Sequence, residues 1–155
     1  MKAVFVESLN GYLARGPNDD MSWTPSLDKK LFKLLTFAYG AVCVCSRRTF
    51  DLLPENVRMD KKRMFLVAKR SGDMSLWQLN HDFPNAVLVG GPVFMRAAYD
   101  LGVIDTFVIT TVNQEITADE RYKNPFRGIL PQPTEIIPFN DMTVRIYNNV
   151  YLWSK

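Results

Sequence analysis

The chain has 155 residues, 47% of them hydrophobic and 23% charged, with 8 Gly and 9 Pro. This is the size of one ordinary domain with apolar residues enough for a core, and the balance excludes a disordered tail, a collagen-like repeat and a coiled coil. One His and two Cys leave no ligand set for a structural zinc and no disulfide framework, and the net charge of +3 is uneven, with eight basic residues against three acids between Arg47 and Arg70.

Residues 2–9 read as a strand, after which Asn10-Gly11 and the breaker-rich stretch 15–20 open a polar loop that ends at Met21-Ser22-Trp23. Thr24-Pro25-Ser26 marks a helix start. Leu27, Leu31, Leu34, Leu35 and Ala38 recur at spacings of three and four opposite Lys29, Lys30 and Lys33, and Gly40 is a stop. Short apolar runs at 41–45, 64–68 and 86–89 read as strands, with a short helix over 48–53. A helix is predicted over 92–101, entered at Pro92 and ended at Gly102, followed by a β-rich run at 105–112. After a Pro-rich stretch, residues 134–155 hold two β-like segments, with Asn148-Asn149 as a turn.

Continuous rather than alternating apolar runs are the mark of parallel strands covered by helices on both faces. The expected architecture is a single α/β domain over 1–155, in three layers, with a mostly parallel central sheet and an antiparallel C-terminal edge. No apolar stretch of signal-peptide length opens the chain and no run of 18 apolar residues occurs, so a cytoplasmic location without membrane contact is expected. The basic window, net +5, suits a small phosphate-bearing cofactor better than a nucleic-acid track, and a solvated charged face would account for it equally.

Asp28 falls in the first turn of the first helix, among Trp23, Leu27, Leu31 and Phe32. A carboxylate there favours the positive end of the helix; in an apolar cleft it would also hold a proton more tightly and pair with an N–C–NH2 edge of a ligand. Val87-Leu88-Val89-Gly90-Gly91-Pro92 breaks a strand into a diglycine and then a helix, a junction that lets backbone N–H groups approach a pyrophosphate. A tight turn explains it as well. Arg47-Arg48-Thr49 and Lys69-Arg70 also follow apolar runs, where ligands of open α/β sheets lie. Cys43 and Cys45 read as small core residues. His81, in Asn80-His81-Asp82-Phe83-Pro84, reads as a surface or capping residue of a loop.

Several stretches together carry a resemblance: Met21-Ser22-Trp23, Asp28 five residues on, Phe32-Lys33-Leu34-Leu35-Thr36, Arg47-Arg48-Thr49-Phe50, Val89-Gly90-Gly91, Phe107-Val108-Ile109-Thr110, Ala118-Asp119 and Tyr151-Leu152-Trp153. In this order they resemble the dihydrofolate reductase family and its wider superfamily, which includes the reductase domain of riboflavin biosynthesis. The resemblance implies an NADPH-dependent reductase that passes a hydride to a C=N carbon of a pterin, converting 7,8-dihydrofolate to tetrahydrofolate. It implies a catalytic set of Asp28, Met21 and Trp23, and substrate contacts from Val6, Leu27, Phe32, Val57 and Thr110. Cofactor contacts would come from Leu13, Ala14, Ser46, Arg47, Arg48, Thr49, Lys69, Gly90 and Gly91. No metal is implied, the partner is a folate- or pterin-like small molecule, and the protein would be a monomer or homodimer.

Three departures stand against that pattern. Ser46 replaces the family's usual Gly, Pro92 follows the diglycine, and the Arg that grips the glutamate of folate has no clean match among Arg58, Lys61, Lys62 and Arg63. Ser8-Leu9-Asn10-Gly11-Tyr12-Leu13-Ala14 resembles the opening of the riboflavin-type reductases. A reductase of a ribosylaminopyrimidine or another small substrate, or a binding protein without turnover, therefore remains open.

Overall fold

The structure is a computed structural model that describes residues 1–150; the Tyr151-Leu152-Trp153 motif lies outside them. The strands are β1 (Lys2–Glu7), β2 (Val42–Cys45), β3 (Met64–Val67), β4 (Val87–Val89), β5 (Thr106–Val112), β6 (Glu135–Pro138) and β7 (Met142–Tyr147). The helices are α1 (Ser26–Ala38), α2 (Arg47–Leu52), α3 (Glu55–Arg58), α4 (Leu76–Asp82) and α5 (Pro92–Asp100). One seven-stranded sheet runs in the order β3-β2-β4-β1-β5-β7-β6. Its first five members are parallel, whereas β7 is antiparallel to both β5 and β6. The expected three-layer α/β architecture with an antiparallel C-terminal edge is thus the observed one.

Two cores follow from strand alternation. Val4, Cys43, Val87 and Val108 point to a front face covered by Leu31, Phe32 and Leu35 of α1 and by Trp23. Ala3, Val44, Leu88, Phe107 and Ile109 point to a back face covered by Leu76 and Leu79 of α4, Met95 and Ala98 of α5, and Phe126. Residues 43–45 are fully buried because β2 lies between neighbours and under both layers. The edge strand β6 is exposed throughout and carries Pro138, which a central strand would not tolerate.

Some sequence expectations shift. The β6–β7 hairpin turn lies between Pro138 and Met142, and Asn149, beyond the end of β7, has a left-handed φ of 56. Helices α3 and α4 carry no long apolar period, and His81 sits on α4, exposed beside Asp82, rather than in a loop. Helix α1 is also rotated from the Leu27/Leu34/Ala38 face. Leu34 is 67% and Leu27 39% exposed, while Asp28, Leu31, Phe32, Leu35 and Thr36 turn inward. Two polar residues, Asp28 and the fully buried Thr36, belong to the inward face and so mislead an apolar-periodicity count.

The topology opens a crevice. Adjacent strands β4 and β1 send their following helices to opposite faces, α5 to the back and α1 to the front. At such a switch point the carboxyl ends of the strands are left uncovered, which is where open α/β sheets bind ligands. Among the described residues no helix is long and apolar enough to cross a membrane.

Candidate active site

On the front wall of this crevice stands Asp28, partly buried in the first turn of α1. Desolvation pushes its carboxyl up to about 6, even though a hydrogen bond with the Thr110 side chain and the charge of Lys29 pull the other way. Thr110 is nearly fully buried on β5 and lies directly across from Val6 of β1 in the strand register. Phe32, one turn along α1, lies partly buried on the same face. An acid poised near neutrality beside a hydroxyl in an otherwise apolar wall has the chemistry to hold or release a proton and to grip an amidine-like edge.

The loop before α1 is organised by a residue that the sequence did not mark. The Asp19 side chain is 2% exposed, and its two oxygens accept from the Arg15 N–H and guanidinium, the Met21 N–H and the Trp23 indole Nε1–H, the last at 2.8 Å. Burial alone would raise its pKa, but these hydrogen bonds win and hold it at about 2. Met21 is held at φ 60, a left-handed conformation uncommon for a residue with a side chain. Trp23, 6% exposed, turns its indole N–H to Asp19. Met21 and Trp23 thus lie in a loop latched by Asp19 that leads into the helix of Asp28. Asp followed four residues later by Trp is too common a spacing to have signalled this.

The strand ends on the other flank carry the remaining predicted residues. Ser46 caps α2, its hydroxyl accepting from the Thr49 N–H at 3.3 Å and bonding the Thr49 hydroxyl at 3.2 Å. This explains why Ser rather than Gly stands there: its side chain satisfies an otherwise free helix N–H. Thr49 also meets the diglycine, since a Cβ on Gly90 would lie 3.4 Å from its hydroxyl oxygen and 2.9 Å from the Phe94 ring. Gly91, the N-cap of α5, faces open space. Arg47, Arg48 and Lys69 are exposed at the ends of β2 and β3, Arg47 lying 3.9 Å from Asp51. The strand register therefore brings Ser46 to Thr49, Lys69, Gly90 and Gly91 to one rim.

Other expected contacts fare differently. Leu13 is buried, and its N–H donates to the Tyr122 carbonyl, leaving Ala14 half-buried beyond it. Leu27, 39% exposed, stands one helical step from Asp28 on α1 and joins neither core. Val57 is half-buried on α3. Of the basic residues near it, Lys61 and Lys62 are exposed, and Arg63 is committed, 2.9 Å from Asp60 and stacked against Phe37 and Phe65. Arg58 lies over the Phe50 ring with its Nε enclosed and without a partner among the described residues.

Cys43 and Cys45 are buried, and desolvation pushes their thiols up to about 12 and about 11, which leaves them inert packing residues.

No family model and no curated protein matches this sequence. Among solved structures the chain is similar to a dihydrofolate reductase from Enterococcus faecalis complexed with NADP(H) and RAB-propyl, with a TM-score of 0.70 and 15% identity over 95% of this chain and 94% of that one. Seven strands in this order, with a crevice at the β4/β1 switch point and a near-complete superposition on that enzyme, give the chain the dihydrofolate reductase-like fold.

Proposed function

We propose that the protein is an NADPH-dependent reductase of a C=N bond in a pterin, with 7,8-dihydrofolate as substrate and tetrahydrofolate as product. The observation that carries this reading is Asp28 itself: a carboxyl raised to about 6 by burial, beside Thr110, at the switch point of the sheet. The fold match to an enzyme complexed with NADP(H) supports the cofactor class. So does the rim, where Gly91 at the N-cap of α5 leaves open space and where Arg47, Arg48 and Lys69 supply cations for a phosphate.

When bound, the reduced nicotinamide supplies the hydride. The protein's residues place and polarise. Asp28 pairs with the 2-amino and N3 edge of the pterin and favours protonation at N5, which makes the C=N carbon electrophilic toward hydride and takes up the electron pair that hydride addition pushes onto N5. Thr110 fixes the carboxyl by hydrogen bonding. Phe32 and the backbone of Val6 line the pterin slot, and the loop of Met21 and Trp23 closes its solvent side, excluding water. Arg47, Arg48 and Lys69 discriminate the 2′-phosphate, while Ser46, Thr49, Gly90 and Gly91 hold the pyrophosphate against the two helix starts. The backbone of Leu13 and Ala14 orients the carboxamide.

The test is the loss of NADPH absorbance on addition of dihydrofolate to the purified chain, with Asp28→Asn beside it. Consumption no faster than buffer by a protein that binds NADPH would refute the folate reading. One observation favours a second reading, a ribosylaminopyrimidine in place of folate: Arg63, the basic residue nearest β3, is already paired with Asp60 and stacked on two rings, so among Arg58, Lys61, Lys62 and Arg63 the one guanidinium left to meet a glutamate tail is that of Arg58. The same assay with that pyrimidine separates the two.

A further inference from the structure

Behind the sheet, on the face away from Asp28, lies a cavity of about 370 Å³ lined by charged and apolar side chains that the reductase reading does not use. Strand alternation creates it. Val6 and Thr110 face the front, so Glu7 and Thr111, the next residues on the same two strands, face the back. Across β7, Arg145 pairs with Ile109 and Tyr147 with Phe107, which puts both on the back face as well.

The charges in this cavity do not cancel. Glu7, nearly fully buried, accepts from the Thr111 hydroxyl at 2.9 Å, the Asn124 amide at 2.9 Å and the Arg127 guanidinium at 3.0 and 3.2 Å. Its carboxylate is fully engaged, and Arg127 is neutralised by it. Arg127 is further held by the Leu9 carbonyl at 3.1 Å and by Gly11, where a Cβ would lie only 2.8 Å from its Nε. Arg145 is different. It donates to the Thr111 hydroxyl at 3.2 Å, a neutral acceptor that is itself donating to Glu7, and it belongs to no ion pair among the described residues. One guanidinium therefore reaches the cavity without a direct ion pair among the described residues, and Ile109, Phe126 and Leu130 supply apolar wall around it.

A partly enclosed space of this size with apolar walls and one convergent cation is built for a small amphiphilic anion. We propose that this back-face cavity is a second binding site, separate from the Asp28 crevice, for a monocarboxylate with an aromatic or branched aliphatic body. Arg145 takes the carboxylate through its unused guanidinium edge. The Tyr147 phenol, whose pKa burial raises further, offers a hydrogen bond, and Phe126 and Leu130 cover the body. The Glu7–Arg127 pair forms a closed floor that neither attracts nor repels the ligand.

The full chain is titrated with phenylacetate and, separately, with its neutral isostere phenylacetamide, following backbone amide shifts by NMR. Phenylacetate is expected to bind with a dissociation constant of about 1 mM or tighter, with the largest shifts at Thr111, Arg127 and Arg145. Phenylacetamide should bind at least about tenfold more weakly. Arg145→Met should weaken phenylacetate by about tenfold or more while leaving NADPH binding unchanged; Arg145→Lys, which keeps the charge and the stem, should fall between. No saturating shift at about 10 mM, equal binding of acid and amide, shifts centred on Phe32 and Asp28, or wild-type affinity in folded Arg145→Met would each overturn the proposal. NADPH oxidation is not needed for any readout, so a failed reductase assay leaves this site untouched.

Discussion

The Asp19 carboxylate accepts the Trp23 indole N–H at 2.8 Å and, through its other oxygen, the Met21 N–H at 2.9 Å. One buried acid thus holds two residues of the loop that leads into the helix of Asp28. Its pKa of about 2 lies below the usual carboxylate range, so its stabilisation is present above pH 4 and lost as pH falls through about 2. The shift corresponds to about 2 kcal/mol.

Asp19→Ala is expected to leave the Met21 and Trp23 donors unsatisfied and to release the strained φ at Met21, at a cost of about 1–3 kcal/mol. Trp23 emission should move to longer wavelength, since its ring loses its buried anchor. In the reductase assay kcat should fall by about tenfold with the NADPH dissociation constant little changed. Asp19→Asn, which keeps an acceptor, should recover part of the loss. An equal fall in cofactor affinity would show that Asp19 supports the whole fold rather than this loop.

Asp28 carries the opposite sign. Its folded pKa of about 6 lies above the value of an unfolded chain, so the folded protein binds the extra proton and ionisation opposes folding. The penalty is absent below pH 4, grows between pH 4 and 6, and is complete above, at about 3 kcal/mol from the shift of about two units. Asp28→Asn removes it. The variant should melt higher than wild type at pH 8, with the gap closing toward pH 4, while turnover falls by at least about a hundredfold and the pH–rate profile loses its step near 6. A variant that melts lower at pH 8 would show that Thr110 and Lys29 stabilise the ionised form more than burial opposes it.

Why Asp28 was legible and Asp19 was not follows from what each is next to. Asp28 stands in a recognisable order with Trp23, Phe32 and the diglycine, and its helix has a clear beginning and end at Pro25 and Gly40. Its inward direction was not legible, because a helix with Asp28 and Thr36 on its buried face shows an apolar stripe one step off, through Leu27 and Leu34. The parallel sheet was readable from its continuous apolar runs, above all 43–45. Glu7, Asn124 and Arg127 come together from strand and loop positions more than a hundred residues apart, and no local spacing encodes that.

Gly90 tests the rim. A methyl at this position would lie 2.9 Å from the Phe94 ring and 3.4 Å from the Thr49 hydroxyl, and the phenyl ring on α5 is the group that must yield. Gly90→Ala is expected to weaken NADPH by about tenfold or more, because the cradle formed with Thr49 fills, at a stability cost of about 1–3 kcal/mol. Arg47→Ala, by contrast, removes an exposed cation with a distant partner, so stability should hold while NADPH weakens by about tenfold and NADH does not. Equal weakening of both dinucleotides would remove Arg47 from phosphate recognition.

Arg58 decides the substrate. Its Nε is enclosed without a partner among the described residues while the guanidinium lies 5.8 Å from the centre of the Phe50 ring, and an enclosed donor with nothing to bond is a cost to the free protein. A ligand carboxylate would meet the terminal nitrogens of the same half-buried guanidinium. Arg58→Met keeps the apolar stem against Phe50 and removes the unsatisfied group, so melting temperature should be unchanged or raised. If dihydrofolate is the substrate, its KM should rise by about tenfold or more with kcat nearly constant, the pattern of a lost contact equal in ground and transition states. A substrate without a glutamate tail would show no such change. An unchanged KM for dihydrofolate would leave its tail without a guanidinium partner and turn the choice toward the pyrimidine, for which Asp28 and Thr110 can grip the ring without any clamp beyond it.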